Sequence, residues 1–119
     1  MEGKLFPSEL HVMNVLWAEG PTTAKRIADI LGESVGWSKT TTYTVIKKCL
    51  EKGAITREDP GFICTAVISK QQVRRQETGE LIERLFGGRA DRLVASLFED
   101  GGLSPEEIAR LRQMIDGMK

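Results

Sequence analysis

Residues 37–53 constrain the fold of this chain more than any other stretch, because they have the pattern of one short helix with two different faces. Ser38 is a favourable N-cap residue, and Gly53 is a favourable helix terminator. Winding the segment at about 100° per residue separates the side chains into two opposite arcs. The arc predicted to face a core comprises Thr42, Val45, Ile46, Cys49 and Leu50.

The opposite arc is rich in hydroxyl and ammonium groups, with few of the glutamates that usually cover an exposed helix. Threonine methyls and hydroxyls can contact base edges in a nucleic-acid groove, and lysines can contact phosphates. The chain has 17 basic and 17 acidic residues, yet residues 21–52 hold six basic against three acidic ones. We therefore predict a nucleic-acid-binding face with these members: Thr40, Thr44, Lys47, Lys48 and Glu51, bordered by Thr41 and Tyr43.

Two further helices are predicted before this segment. The first begins with Ser8 as its N-cap and ends at Gly20, and its core stripe contains Trp17. The second is capped by Thr22 or Thr23 and runs to Gly32. Two helices joined by a tight turn, the second with a polar exposed face, form a helix-turn-helix.

A β-hairpin is predicted after the third helix, with strands at residues 54–58 and 62–68 and a turn at Pro60-Gly61. Three helices followed by a two-stranded wing give winged-helix topology. Arg57 is the one cation of this hairpin, and it is followed by Glu58 and Asp59. We therefore expect the wing to add little affinity for nucleic acid.

The remaining chain is predicted to be helical, with capping boxes at Ser69–Gln72 and Ser104–Glu107. The predicted organisation is thus a winged-helix domain at residues 1–69 and a helical arm at 70–119. So short an arm buries its apolar stripes poorly, and a second copy of the chain can cover them. Folding of the arm onto its own winged helix is the alternative. The predicted dimerisation residues are Leu81, Ile82, Leu85, Phe86, Leu93, Val94, Leu97, Phe98, Ile108, Leu111 and Ile115.

Other functions lack a sequence signal. The single histidine, His11, and two distant cysteines, Cys49 and Cys64, form no metal-ligand pattern, so we expect buried thiols and no cofactor. No catalytic motif is present, which argues against an enzyme. Neither a signal peptide nor a membrane span is apparent, so we expect a cytoplasmic protein. Trp17 and Trp37 are assigned to core packing in preference to a ligand pocket.

Several stretches, in matching order along nearly the whole chain, resemble the penicillinase-repressor and methicillin-resistance-repressor family of winged-helix transcriptional regulators. The resemblance implies a homodimeric repressor that binds a two-fold double-stranded DNA operator. A winged helix used only for protein–protein contact is the alternative function. The stretches that carry the resemblance are residues 10–17, 37–38, 41–46, 52–55 and 103–108.

In that family the start of the third helix reads the major groove. The resemblance therefore implies base contacts from Thr40, Thr41, Tyr43, Thr44 and Lys48, with Ser38 and Lys39 on phosphate. Our own reading of the helix face and the wing adds Lys47 and Arg57 to this DNA-binding set.

Regulation in the family takes two forms that can be compared with this chain. Some relatives are inactivated by a protease that cuts between an asparagine and a phenylalanine in the fifth helix. The corresponding residues here are Ser96 and Leu97, which leaves a regulatory protease open as a partner. Copper-responsive relatives carry a C-terminal cysteine cluster, whereas this chain has no cysteine after Cys64.

Overall fold

The computed structural model describes residues 4–118. The predicted class, mainly helical with a small β wing, is confirmed. The chain divides into two compact units, one reaching to Arg74 and the other starting at Arg75. The elements are α1 (Pro7–Glu19), β1 (Thr22–Thr23), α2 (Ala24–Ser34), α3 (Lys39–Glu51), β2 (Ile55–Glu58), β3 (Ile63–Ala66), α4 (Lys70–Phe86), α5 (Ala90–Glu99) and α6 (Pro105–Asp116).

The core of the first unit lies between α1, α2, α3 and the sheet. As predicted, α3 buries Thr42, Val45, Ile46 and Cys49, while Leu50 is partly buried. The buried Thr42 hydroxyl donates a hydrogen bond of 3.3 Å to the Ser38 carbonyl oxygen, so its polar group is satisfied within the helix. Val73, in the first turn of α4, completes this core.

The sheet has three strands in the order β1-β3-β2, and both pairings are antiparallel. The predicted two-stranded wing was therefore incomplete, because Thr22 and Thr23 pair with Cys64 and Ile63. A two-residue strand has no periodicity of its own, and long-range pairing alone creates it. The two predicted strands are also shorter than expected, at residues 55–58 and 63–66.

Two predicted helix ends were wrong. Ser8 is not the N-cap of α1, because Pro7 is the first helical residue, where its missing N–H costs nothing. The carboxylate of Glu9 accepts the Phe6 N–H at 2.7 Å and does the capping instead. Likewise α2 continues through Gly32 to Ser34. Helix α2 is capped by Thr23, whose side chain accepts the Arg26 N–H.

The second unit contains most of α4 together with α5 and α6. The predicted capping box at its last helix is present, since the Ser104 N–H donates to Glu107 at 2.9 Å and the Glu107 N–H donates to Ser104 at 3.1 Å. From Arg75 to Met118 no residue is buried. The predicted arm therefore has amphipathic helices without a closed core of its own.

Candidate nucleic-acid interface

The N-terminus of α3 is a donor-rich position. The Ser38 hydroxyl accepts the Thr41 N–H at 3.1 Å and donates to the Thr41 hydroxyl at 3.0 Å. The N–H groups of Lys39 and Thr40 lie in the first helical turn, which has no intrahelical acceptors and carries the positive end of the helix dipole. Because its hydroxyl is used for capping, Ser38 shapes this donor site more than it adds a contact of its own.

The predicted outer face of α3 is exposed along its whole length. Thr44 illustrates its chemistry, because its hydroxyl donates to the Thr40 carbonyl oxygen at 2.9 Å. The oxygen lone pairs and the methyl group of Thr44 then remain for a partner. All its predicted members are exposed, namely Thr40, Thr41, Tyr43, Thr44, Lys47, Lys48 and Glu51, and Lys39 at the helix N-terminus is exposed as well.

The ion pairs among the described residues of the first unit do not involve the lysines of this face. Arg26 pairs with Glu19, Lys52 with Glu9, and Arg57 with Asp59. Across residues 4–118, the ion pairs include none of the α3 lysines before Lys52. Of the six cations of residues 21–52, Lys39, Lys47 and Lys48 on α3 and Lys25 on α2 thus lie outside the ion pairs formed within residues 4–118.

The wing contacts α3 through aromatic rings. The rings of Tyr43 and Phe62 meet edge to face with centroids 5.9 Å apart. On Phe62, the guanidinium carbon of Arg57 lies 3.6 Å from the ring centroid. Phe62 thus links the predicted wing cation Arg57 to Tyr43 on the outer face of α3.

A buried ion pair holds the other end of α3. Lys52, the C-cap residue, places its Nζ 2.6 Å from a carboxylate oxygen of Glu9 and 2.6 Å from the Lys4 carbonyl oxygen. The same Nζ lies 4.0 Å from the centre of the Phe6 ring. These contacts tie the C-terminal end of α3 to the start of α1, and so fix the direction in which the exposed face points.

The two tryptophans and the two cysteines make contacts that stabilise the fold. The indole N–H of Trp17 donates to the Ile68 carbonyl oxygen at 2.9 Å, and Trp37 meets His11 edge to face at 5.4 Å. Cys49 and Cys64 are buried free thiols, as predicted. Burial raises the pKa of the Cys49 thiol to about 12 and also raises that of Cys64. Neither thiol is therefore reactive at neutral pH.

Residues 4–118 contain no group of three or more histidine, cysteine, aspartate or glutamate side chains placed to hold a metal ion. None of the helices formed by these residues is long and apolar enough to cross a membrane.

The predicted dimerisation residues all lie in the second unit and none is buried. Phe98 is 49 % exposed and Ile115 is 66 % exposed. Phe98, Ile108, Leu111 and Ile115 line one groove between α5 and α6. Ser96 and Leu97 lie inside α5, where the Ser96 hydroxyl donates to the Leu93 carbonyl oxygen at 2.8 Å.

Four residues that shape this site were not identified from the sequence: Glu9, Lys52, Asp59 and Phe62. Glu9 and Lys52 are 43 positions apart, so no local pattern links them. Asp59 lies two residues from Arg57, and that spacing across a hairpin end could have indicated the pair. Phe62 has a positive φ of 51°, which is unusual for a bulky residue and has no sequence signal.

The chain is similar in sequence to known proteins over most of its length. The penicillinase repressor of Bacillus licheniformis is 26 % identical over 114 residues, covering 94 % of this chain and 89 % of that protein. The methicillin resistance regulatory protein MecI of Staphylococcus aureus (strain N315) is 25 % identical over 111 residues, covering 92 % and 90 %.

Solved structures give the same result. The DNA-binding domain of the repressor BlaI matches with a TM-score of 0.52 and 26 % identity, covering 56 % of this chain and 83 % of that one. Monomeric Bacillus licheniformis BlaI in complex with the blaP half-operator matches with a TM-score of 0.52 and 25 % identity, covering 60 % and 89 %. The penicillinase repressor family matches residues 5–117, and the chain belongs to this family.

Proposed function

We propose that this protein is a cytoplasmic DNA-binding transcriptional repressor that acts as a homodimer on a two-fold operator. The observation that carries the proposal is the outer face of α3, where threonine hydroxyls lie beside three exposed lysines that form no ion pair within residues 4–118. One relative named as a penicillinase repressor, another named as a methicillin resistance regulatory protein, and a BlaI structure in complex with a half-operator support the same function.

In this mechanism α3 enters the major groove with its N-terminus towards the backbone. The first-turn N–H groups and Lys39 hold a phosphate, because both present positive charge at that end. Thr40, Thr41, Tyr43, Thr44 and Lys48 then face base edges, and Lys47 faces phosphate. The methyl group and the remaining acceptor capacity of Thr44 suit a thymine methyl and a base amino group respectively.

The C-terminal arm, residues 70–119, pairs two copies in this proposal and sets the distance between half-sites near one helical turn or a multiple of it. The half-buried apolar side chains of α4, α5 and α6 support this role, since a second copy would give them the core they lack. The winged-helix domain, residues 1–69, then supplies one reading head per half-site. Repression follows because the bound dimer blocks transcription.

A second part of the proposal is that a regulatory protease releases the protein from DNA by cutting between Ser96 and Leu97. The Ser96–Leu97 bond lies in the middle of α5, and a protease needs an extended chain, so cleavage would require α5 to unfold locally. Mass spectrometry of the intact protein, before and after exposure of cells to an inducing stress, tests for a fragment that ends at Ser96.

A protein-binding module is the competing function, and the wing is the feature that favours it, because Arg57 is paired and Glu58 and Asp59 are exposed acids. Selection of bound fragments from a pool of random-sequence duplexes separates the two. A repressor enriches a two-fold symmetric sequence over successive rounds. A pool that stays random, with no retention above a control protein, contradicts the proposed function.

A further inference from the structure

The wing tip contains a guanidinium whose Nε–H group already donates to a carboxylate of the same chain. The Nε of Arg57 lies 3.2 Å from both carboxylate oxygens of Asp59. The Arg57 side chain is 44 % exposed and that of Asp59 is 61 % exposed. The pair is therefore in contact with solvent, where a competing anion can reach it.

The position of Arg57 indicates which anion would compete with Asp59 for its guanidinium. Its guanidinium lies on the ring of Phe62, and Phe62 contacts Tyr43 on the exposed face of α3. A duplex lying against α3 would bring its sugar-phosphate backbone to the wing beside that face. A phosphate group presents paired anionic oxygens to a guanidinium just as a carboxylate does.

We propose that Asp59 competes with DNA phosphate for Arg57 and thereby limits the contribution of the wing to affinity. This inference rests on the proposed function, because it needs α3 in the groove. Asp59 is then a residue that tunes affinity through Arg57 and has no contact of its own with DNA.

The competition has a specific thermodynamic consequence. A cation that neutralises a phosphate normally releases a condensed counterion, which makes the logarithm of affinity fall by about 0.9 per contact against the logarithm of salt concentration. When phosphate displaces Asp59, however, the freed carboxylate regains its own ionic atmosphere. The wing contact then adds little to the salt dependence of the native chain.

The chain offers a matched control at the neighbouring position. Glu58 carries the same charge and is also exposed, but side-chain alternation places it on the opposite face of β2 from Arg57. Asp59→Asn and Glu58→Gln therefore remove one negative charge each from neighbouring exposed positions of the wing. Only Asp59→Asn weakens the hold on Arg57.

The test measures fluorescence anisotropy of a labelled random-sequence duplex of about 30 base pairs, which is long enough for two half-sites, at several salt concentrations. The full-length variants are Asp59→Asn, Glu58→Gln, Arg57→Ala and Arg57→Ala/Asp59→Asn. We expect Asp59→Asn to bind about two- to fivefold more tightly than Glu58→Gln, the range expected for breaking an exposed ion pair. Its salt slope should steepen by about one per protomer.

Arg57→Ala in the native background should leave the slope nearly unchanged, and in the double variant the part of the gain from Asp59→Asn that exceeds the effect of Glu58→Gln should vanish. Equal effects of Asp59→Asn and Glu58→Gln overturn the inference, as does an excess over Glu58→Gln that survives without Arg57. Weaker binding by Asp59→Asn overturns it too, because Asp59 would then orient Arg57 for DNA.

The outcome for the proposed function can be read separately from Lys47→Ala/Lys48→Ala in the same titration. If that variant loses affinity while Asp59→Asn behaves as Glu58→Gln does, only the inference about Asp59 fails. If no variant binds the duplex even at low salt, both fail. Equal melting temperatures of all the variants would establish that the differences in DNA affinity arise in the folded state.

Discussion

Glu9 and Lys52 form a 2.6 Å ion pair that joins the first turn of α1 to the C-terminal end of α3, across 43 positions of sequence. Glu9 is 1 % exposed, whereas the Lys52 side chain keeps 21 % of its surface in contact with solvent. The carboxylate also accepts the Phe6 N–H. One buried carboxylate thus caps α1 and anchors the helix that we propose to read DNA.

Removing Lys52 should destabilise the protein more than removing any exposed lysine. Lys52→Ala leaves the Glu9 carboxylate buried without its cation, and we expect a loss of about 2–3 kcal/mol in the free energy of unfolding, less than for a fully buried pair. Glu9→Gln keeps an acceptor for Phe6 and Lys52 and should cost only about 1 kcal/mol. Urea unfolding monitored by circular dichroism measures both losses.

Lys47→Ala is the matched control for Lys52→Ala, because it removes an exposed lysine from the same helix. We expect its free energy of unfolding to stay within about 0.5 kcal/mol of the native value. Equal losses for Lys47→Ala and Lys52→Ala would show that the Glu9 pair does not anchor α3.

The buried thiol of Cys49 should make stability depend on pH above neutrality. Its pKa is raised from 9.0 to about 12 in the folded protein, chiefly by burial and further by Glu9. Between these values the unfolded chain ionises Cys49 and the folded chain does not, so stability is full below pH 9 and falls as pH rises towards 12. By pH 10 this one group should remove about 1.4 kcal/mol.

Cys49→Ala isolates that contribution when the variant and the native chain are each unfolded in urea at pH 8 and pH 10. The free energy of unfolding of the variant is lower at pH 8, because the substitution leaves a cavity. Between pH 8 and pH 10, however, it should fall by about 1.4 kcal/mol less than that of the native chain. Equal losses of unfolding free energy in the two proteins would mean that folding does not raise the pKa of Cys49.

The arm is proposed to form the dimer, and Phe98 and Ile115 line its exposed groove. Phe98→Glu/Ile115→Glu places two charges in a surface that a second copy should cover, and we expect the dimer to weaken by about thirtyfold or more. Sedimentation velocity over a range of concentrations measures this. Val67→Glu, at an exposed apolar residue of the first unit, should leave the dimer intact. A native chain that sediments as a monomer contradicts the proposed arm.

Local signals in the sequence were sufficient to locate the helices, apart from the start of α1 and the end of α2, and to identify the exposed face of α3. Ser38, Ser69 and Ser104 cap their helices as predicted, because each capping bond spans only three residues. Residue spacing also separated the buried Thr42 from the exposed Thr41. These features depend on helical periodicity, which one sequence displays in full.

Features that depend on distant pairing could not be predicted in this way. Strand β1 exists because Thr22 meets Cys64, and the anchor of α3 exists because Glu9 meets Lys52. In sequence, Lys52 looked like one more cation of the basic stretch, whereas in the fold its charge is matched by Glu9. Arg57 stacks on the ring of Phe62, whose backbone has a positive φ that no residue pattern indicates.

The central claim is that the outer face of α3 binds DNA, and Lys47→Ala/Lys48→Ala tests it most directly. Arg92→Ala/Arg110→Ala, which removes two exposed cations from α5 and α6, is the control for charge alone. In anisotropy titrations with the duplex used for Asp59, the lysine variant should bind at least about tenfold more weakly, with a salt slope shallower by about one per protomer because the phosphate contact of Lys47 is lost. The arginine variant should stay close to the native chain. Native affinity and slope in the lysine variant, or an equal loss in the arginine variant, would contradict the claim.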